Sequence, residues 1–299
     1  PVVDKTKCVN CRLCEKVCPI LNKTHNVFPN TAYVVRNKNS EIVRSSTSGG
    51  AVTAFSKEII NNGGIVFGGA FDGNFYVKHT YAETESELSK FRSSKYVQSD
   101  MGTTFTEVKQ QLDNEKFVMF TGTPCQVEGL QNYLRKPYDN LFTIDFVCRA
   151  VPSPLVWEKY REKKFGSEIT YANFREKTYG YHSANLTLRF ANGKKSIENT
   201  NTDYMLKSFF KGICSRPSCY DCKFREPGRV SDLTVFDCWN ITRYVNGLAD
   251  DDKGYTAVII QSTKGAKLFE KAKHNLIVYP ADPKLLLEND GHMAMENPK

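Results

Sequence analysis

Apolar residues recur along the chain with two periods that take turns. Val52, Phe55, Ile59 and Ile60 fall at helical spacing, Gly63-Gly64 stops that helix, and Ile65 to Phe71 returns as an apolar run of strand length. The alternation continues on both sides. Thr31 to Arg36 predicts a strand, a short helix lies near Glu85 to Phe91, Thr103 to Asn114 is helical, and Phe117 to Phe120 is a buried-type strand. A helix opens at Pro124, Leu141 to Cys148 is an apolar strand, and Pro152-Ser153-Pro154 opens another helix. The pattern then changes. Ile169 to Lys177 and Leu186 to Ile197, the second turning at Asn192-Gly193, predict a β-rich excursion. Tyr204 to Ile213 is amphipathic and helical, Leu233 to Trp239 and Tyr255 to Gln261 predict strands, and Gly265 to Lys273 predicts a terminal helix. Strands separated by helices give an α/β class, with a mixed sheet, flanking helices and the β-rich excursion set apart.

Three stretches carry more than periodicity. In Thr121-Gly122-Thr123-Pro124-Cys125-Gln126, Thr123 is placed to cap a helix whose first residue is Pro124, and Gln126 completes a capping box. Cys125 then falls in the first helical turn at the carboxyl end of a strand, where open α/β sheets bind ligands and exposed amides favour anions and thiolates. Ser48-Gly49-Gly50 precedes a helix: Ser48 is the expected N-cap, and two glycines let the backbone approach a neighbour closely. This reads as a tight helix start as readily as a ligand cradle. Ser94-Lys95-Tyr96-Val97-Gln98-Ser99 offers a cation, an aromatic ring, an amide and hydroxyls, a set that suits an isoalloxazine ring and its phosphates, or equally a surface loop.

Composition narrows the class. With 299 residues, 40% hydrophobic and 25% charged, the chain is globular and long enough for two cores. No apolar run approaches the roughly 18 residues of a membrane span, and no signal peptide is legible. Forty-one basic against 33 acidic residues give a net charge of +8. The basic residues are scattered, with no stripe interleaved with aromatics, so nucleic acid is not an expected partner; the excess favours acidic redox partners.

The cysteines decide the chemistry. Cys8, Cys11, Cys14 and Cys18, followed by Pro19, stand at spacings of two, two and three residues, the run with which bacterial ferredoxins hold a 4Fe-4S cubane. Zinc would need separated CxxC pairs or paired histidines, and disulfides an oxidising compartment; ten cysteines in metal-ligand spacings predict a reducing, cytoplasmic setting. In two-cluster ferredoxins the fourth cysteine of such a run serves the other cluster. With only seven residues before Cys8, the expectation is that residues 1–30 are the second half of a two-cluster module cut from a longer protein. A second set follows. Cys219 and Cys222 lie in a proline- and arginine-rich loop and read as half a metal site rather than a redox pair. Cys125 and Cys148, at the ends of neighbouring strands, are the natural completion, with Cys214 the alternative ligand and Cys238 a packing residue. Four thiolates suit zinc or a 4Fe-4S cluster, and the neighbouring ferredoxin run favours the cluster. None of the five histidines has metal spacing, and His79 reads as structural.

Taken together, Ser46 to Gly50, Ser94 to Ser99, Gly122 to Gln126, Asp145-Phe-Val-Cys148, Val151-Pro-Ser-Pro154, Arg216-Pro-Ser-Cys219-Tyr-Asp-Cys222, Ser231-Asp232-Leu-Thr234 and the ferredoxin run resemble the coenzyme F420 hydrogenase/dehydrogenase beta-subunit family of iron–sulfur flavoproteins. The resemblance implies an FAD-binding α/β domain, flavin contacts around Ser48, Gly49, Gly50, Lys95, Tyr96, Gln98, Ser99 and Thr123, and a 4Fe-4S cluster on Cys125, Cys148, Cys219 and Cys222. Where many relatives read Cys-His-Gly-Val-Pro and Gly-Asp-Phe-Trp, this chain has Cys148-Arg149-Ala150-Val151-Pro152 and Phe236-Asp237-Cys238-Trp239, so substrate preference does not carry over. The expected layout is residues 31–150 as the flavin-binding region and 151–299 as the region bearing the CxxC ligands. The expected function is an oxidoreductase that exchanges hydride between a soluble carrier or small-molecule substrate and FAD, passing single electrons through 4Fe-4S clusters to or from ferredoxin or a partner redox subunit. The alternatives are a cluster-carrying electron-transfer protein without hydride chemistry, and a zinc-binding interaction scaffold. No side chain stands out as a catalytic acid or base.

Overall fold

The structure, a computed structural model, describes residues 3–24, 26–164 and 168–295. One eight-stranded sheet organises it, made of β1 (Thr31–Asn37), β2 (Ile65–Phe71), β3 (Val77–Ala82), β4 (Val118–Gly122), β5 (Leu141–Phe146), β9 (Leu233–Cys238), β10 (Tyr255–Ile260) and β11 (Leu276–Ala281). Their order across the sheet is β11-β1-β10-β9-β5-β4-β2-β3. The central strands β2, β4, β5 and β9 are parallel, and antiparallel strands close both sides. The mixed sheet with flanking helices is therefore the observed class.

Alternate residues of each strand go to opposite faces, as the pleat requires. Val35, Val66, Met119, Ile144, Val235 and Val258 join one core under α3 (Ala51–Asn61) and α10 (Thr263–Ala272). Their neighbours Phe67, Val118 and Phe120 face α4 (Thr104–Asp113) and α5 (Pro124–Leu134), while Val34, Phe236, Ala257 and Ile259 face α11 (Pro283–Asn289) and the short α9 (Ile241–Tyr244). Burial on both faces explains why these strands read as continuous apolar runs.

The β-rich excursion is a separate antiparallel sheet of β6 (Ile169–Glu176), β7 (Asn185–Phe190) and β8 (Lys195–Asn199), paired in that order. It shares a core with α6 (Pro154–Lys164) and α7 (Tyr204–Phe210), built around fully buried Trp157 and Phe174. Trp157 packs against Phe71, and its Nε1 donates to the Phe75 carbonyl at 2.8 Å, which ties this small sheet to the β2-β3 hairpin.

Several elements differ from the sequence expectation. Ser40–Ser45 forms a helix, α2, whose N-cap Asn39 accepts from the amides of Glu41 and Ile42; it is too short to show a period. The edge strands β3 and β11 are only partly buried and show little alternation, and the seven-residue α11 is too short to show a period. The N-cap of α3 is Gly50, at φ +77°, rather than Ser48. The Ser48 hydroxyl instead meets that of Thr256 at 2.9 Å. Gly49 is required by the sheet itself, since a Cβ there would lie 2.5 Å from the Val35 carbonyl oxygen and 2.7 Å from the Thr256 nitrogen.

Asn22 to Asn30, a polar and turn-rich stretch, is docked along part of its length. Asn132 donates to the Asn22 carbonyl at 3.2 Å, Lys23 pairs with Glu226, and the Thr24 amide donates to Glu128 at 2.7 Å. Gly228 lies flush against the backbone of Asn26 and Val27; a Cβ there would stand 2.3 Å from the Val27 carbonyl oxygen. Among the described residues no helix is long and apolar enough to cross a membrane.

Candidate redox site

Each cysteine of the second set is placed by a distinct local rule. Cys125 is the second residue of α5, after Pro124, and the predicted capping box of Thr123 and Gln126 is formed, with Gln126 Oε1 accepting the Thr123 amide at 2.9 Å. The Thr123 hydroxyl lies 3.1 Å from Cys125 Sγ. Cys148 stands two residues beyond the end of β5, the strand that pairs in parallel with β4. Cys219 lies in the single-turn helix α8 (Pro217–Tyr220), and Cys222 follows it. The loop carrying them is stitched to the Cys148 loop by the Pro152–Ser215 bridge and by the Arg216 amide donating to the Val151 carbonyl at 3.0 Å.

The consequence is electrostatic. Desolvation raises the Cys125 pKa, Thr123 opposes that rise, and Cys222 and Cys219 add to it. Cys148 is likewise raised, first by burial and then by Cys125, Cys219 and Cys222, while Arg225 opposes. Cys148 and Cys125 are thus within electrostatic reach of each other and of Cys219 and Cys222. Four such thiols cannot all ionise without a compensating positive charge, and bound metal supplies it. Cys214 is half-buried and is raised by desolvation, with no influence from the four. Cys238 is buried in the core under α11. Among the described residues no three His, Cys, Asp or Glu side chains gather closely enough for a single ion. That holds for the N-terminal run too, where Cys8, Cys11 and Cys14 are exposed around the turn α1 (Leu13–Lys16). There Asn10 and Arg12 adopt left-handed backbone, at φ 53° and 55°.

The expected flavin residues divide into three groups. Lys95 lines a cavity of about 580 Å³, within the range of small-molecule sites. Five further cations line it, Arg44, Lys90, Arg92, Lys177 and Arg189, against the acids Glu41 and Glu176. Ser48 stands behind its wall, its carbonyl accepting from Lys177 Nζ at 2.6 Å, beside the glycines already accounted for by the sheet. Thr47 joins this segment to the Lys95 segment, its hydroxyl accepting the Ser94 amide at 2.7 Å. The remaining residues point toward the cysteines. Gln98 donates its amide to the Pro152 carbonyl at 2.9 Å, and Ser99 accepts from Gln126 Nε2 at 2.9 Å, one hydrogen bond from Thr123. Tyr96 lies between, stacked on Phe209 with centroids 4.1 Å apart and accepting from Arg175 Nη1 at 3.2 Å. Four residues of chain therefore lead from the cavity wall to the helix of Cys125, at most about 14 Å when extended.

Burial lowers the Lys95 pKa to about 7 and that of Lys177 to about 8. Lys95 Nζ is held by the carbonyls of Arg92 and Ser93, at 3.0 and 3.1 Å. His79 is structural: burial lowers its pKa to about 4, its ring stacks on Phe120, and Nε2 lies 3.0 Å from the Thr121 carbonyl.

Sequence reasoning missed the contribution of the small sheet, which supplies Tyr171, Asn173, Glu176, Lys177 and Arg189 to the cavity. It missed Arg175 as well, 5% exposed, which bonds both Tyr96 and Asp237 and lies 4.8 Å over the Trp239 ring. The irregularity in register between Asn173 and Glu176 is the reason. A bulge re-aims successive side chains, so period-two counting assigns them to the wrong faces.

Comparison with known proteins identifies the family and the fold. Residues 1–21 match the 4Fe-4S binding domain. A chain of the F420-reducing [NiFe] hydrogenase complex from Methanosarcina barkeri, solved as a xenon derivative, shares the fold with a TM-score of 0.60 over 90% of each chain, at 18% identity. No curated protein matches. The family pattern for the C terminus of the coenzyme F420 hydrogenase/dehydrogenase beta subunit matches residues 115–284, more than half the chain. The chain therefore belongs to the coenzyme F420 hydrogenase/dehydrogenase beta-subunit family, and its role is redox, in iron–sulfur electron transfer.

Proposed function

We propose that this chain is an iron–sulfur flavoprotein oxidoreductase of a reducing, cytoplasmic compartment. FAD occupies the cationic cavity, one 4Fe-4S cluster is held by Cys125, Cys148, Cys219 and Cys222, and the run Cys8, Cys11, Cys14 and Cys18 carries iron–sulfur chemistry at the N-terminus. When bound, the flavin supplies hydride exchange with a soluble carrier or substrate, and the clusters supply one-electron steps toward ferredoxin or a partner redox subunit. The observation that supports this reading is that Cys125, Cys148, Cys219 and Cys222, from three stretches of chain, act on one another electrostatically at one end of a segment whose other end lines the cavity.

The side chains have separable tasks in this reading. Arg44, Lys90, Arg92, Lys95, Lys177 and Arg189 meet the charge of a diphosphate, and Tyr171 and Phe71 offer it apolar wall. Lys177 also pins the wall itself, donating to the carbonyls of Val43, Ser48 and Lys253. The α5 amides and the Thr123 hydroxyl bear on Cys125, and Arg225 favours the thiolate of Cys148. The docked segment 22–24 and Gly228 hold the N-terminal run beside the loop of Cys222, whose residue Glu226 receives Lys23. Residues 31–150 form most of the flavin region, and the small sheet of the 151–299 region completes its cavity.

Anaerobic reconstitution of the chain with iron, sulfide and FAD tests this. The expected product shows flavin absorbance together with iron and acid-labile sulfide, and a hydride donor bleaches the flavin band. Cluster loading without bound flavin would leave an electron-transfer protein without hydride chemistry. Zinc in place of iron and sulfide would leave the interaction scaffold.

A further inference from the structure

The surface beside the Cys219-Cys222 loop has a character of its own. On α7 the inward residues Met205, Leu206 and Phe209 are buried, while Tyr204 and Lys207, one turn apart, stay exposed, and Lys211 continues the stripe. The chain then turns back, with the Ile213 amide donating to the Ser208 carbonyl at 2.9 Å. Tyr220, next to Cys219, closes the turn by donating to the Gly212 carbonyl. Tyr204 is 74% exposed, Ile213 70% and Tyr220 39%, large apolar side chains that none of the described residues covers. Lys207, Lys211 and Arg216 are exposed among them, and no carboxylate of the described residues pairs with any of the three. The nearby acid Asp221 is engaged by Lys223 at 2.7 Å.

We propose that Tyr204, Lys207, Lys211, Ile213, Arg216 and Tyr220 form the docking face for an acidic electron-transfer protein. The apolar and aromatic groups give a small desolvated centre, and the three unpaired cations give a positive rim. That combination suits a transient redox encounter, in which complementary charge steers association and a limited contact area permits release. The position decides the kind of partner. Ile213 and Arg216 flank Cys214, and Tyr220 sits between Cys219 and Cys222, so a protein seated here lies beside the partly exposed cysteines of the proposed cluster. A nucleic acid would also meet cations and aromatic rings here, but nothing in its binding would require the thiolates beneath. The inference rests on the reading that Cys219 and Cys222 hold a cluster.

The test uses the full chain reconstituted anaerobically and an acidic two-cluster 4Fe-4S ferredoxin as probe. Iron, sulfide and circular dichroism are recorded first for wild type, K207E/K211E, Ile213→Ser and the control pair K267E/K271E, which makes the same change in net charge on exposed positions of α10. The affinity is then measured by calorimetry, and the rate of electron exchange by stopped flow, across a salt series. For K207E/K211E the expected result is an association rate about 10- to 100-fold lower at low ionic strength, with the salt dependence flattened. The control pair and the rate of reduction by dithionite stay as in wild type. Ile213→Ser is expected to weaken binding while keeping the salt slope. The proposal is overturned if K207E/K211E binds the ferredoxin as wild type does or the control pair loses as much. It is overturned too if the same pair of changes abolishes binding of a single-stranded oligonucleotide and leaves the ferredoxin untouched. Failure of Cys219 and Cys222 to bind iron would remove the relay reading, and the calorimetric affinities would still decide the docking face.

Discussion

The two cysteine quartets of this chain are built on opposite principles. Cys8, Cys11, Cys14 and Cys18 sit within one short stretch; α1 has no buried residue, and three of the four cysteines are exposed. Their geometry is set by local chain turns, at Asn10 and Arg12 above all. The elements that carry Cys125, Cys148 and the Cys219-Cys222 loop become neighbours only when β4 and β5 pair and the Pro152–Ser215 bridge closes. The first quartet is a property of a peptide and the second of a fold. On the proposed reading, metal loading and folding would be one equilibrium at the second site and nearly independent at the first.

The sharpest way to break this comparison is to remove one ligand from each quartet. Cys148→Ala is expected to abolish cluster loading at the assembled site, while the N-terminal run retains its iron; Cys11→Ala does the reverse. Iron and sulfide analysis with low-temperature electron paramagnetic resonance distinguishes the two. Loss of both signals from Cys148→Ala would show that the quartets are not separable.

A smaller effect sharpens it. Arg229, 7% exposed, pairs with the buried Asp145 at 3.3 Å, on the strand that leads to Cys148. Burial raises the Asp145 pKa and Arg229 opposes it. Arg229→Met leaves that carboxyl unpaired and is expected to cost about 3–5 kcal/mol, read by denaturant unfolding. Iron at the assembled site should be lost at correspondingly lower denaturant, with the N-terminal iron unaffected.

How far the sequence reveals each quartet follows from the same contrast. The first is legible because its ligands and spacers are contiguous. The second is legible only in pieces: the capping box fixes Cys125, the end of an apolar run fixes Cys148, and the CxxC announces half a site. What joins them is strand order and a loop bridge, which depend on contacts between residues far apart in sequence. The parallel core strands could be read because burial on both faces makes them uniformly apolar. The small sheet's share in the cavity could not, because the bulge near Asn173 breaks the alternation that assigns faces, and Gly49 looked like a ligand contact although the backbone of β1 and β10 already demands it.

The smallest predicted effect is confined to the assembled region. An anionic ligand in the cavity favours the charged form of Lys95, whose pKa burial has lowered to about 7. Binding is therefore complete below pH 7 and weakens as pH rises through that value toward the higher pKa of the complex. An affinity about 10-fold weaker at pH 8.5 than at 6.5 is expected, about 1.4 kcal/mol. Calorimetry of FAD binding in buffers of differing ionisation enthalpy should show proton uptake at pH 8, and Lys95→Met should reduce both the uptake and the slope, leaving the share of Lys177, whose pKa is lowered to about 8.

Gly228 has a consequence for engineering. Its seat accepts main chain, so its hold on the strand of peptide at Asn26 and Val27 is indifferent to which side chains those positions carry. A heterologous electron-carrying peptide grafted ahead of Lys23 would inherit the same berth, provided Lys23 and Thr24 are kept for Glu226 and Glu128. The chain thereby offers a ready-made socket for exchanging one wired module for another.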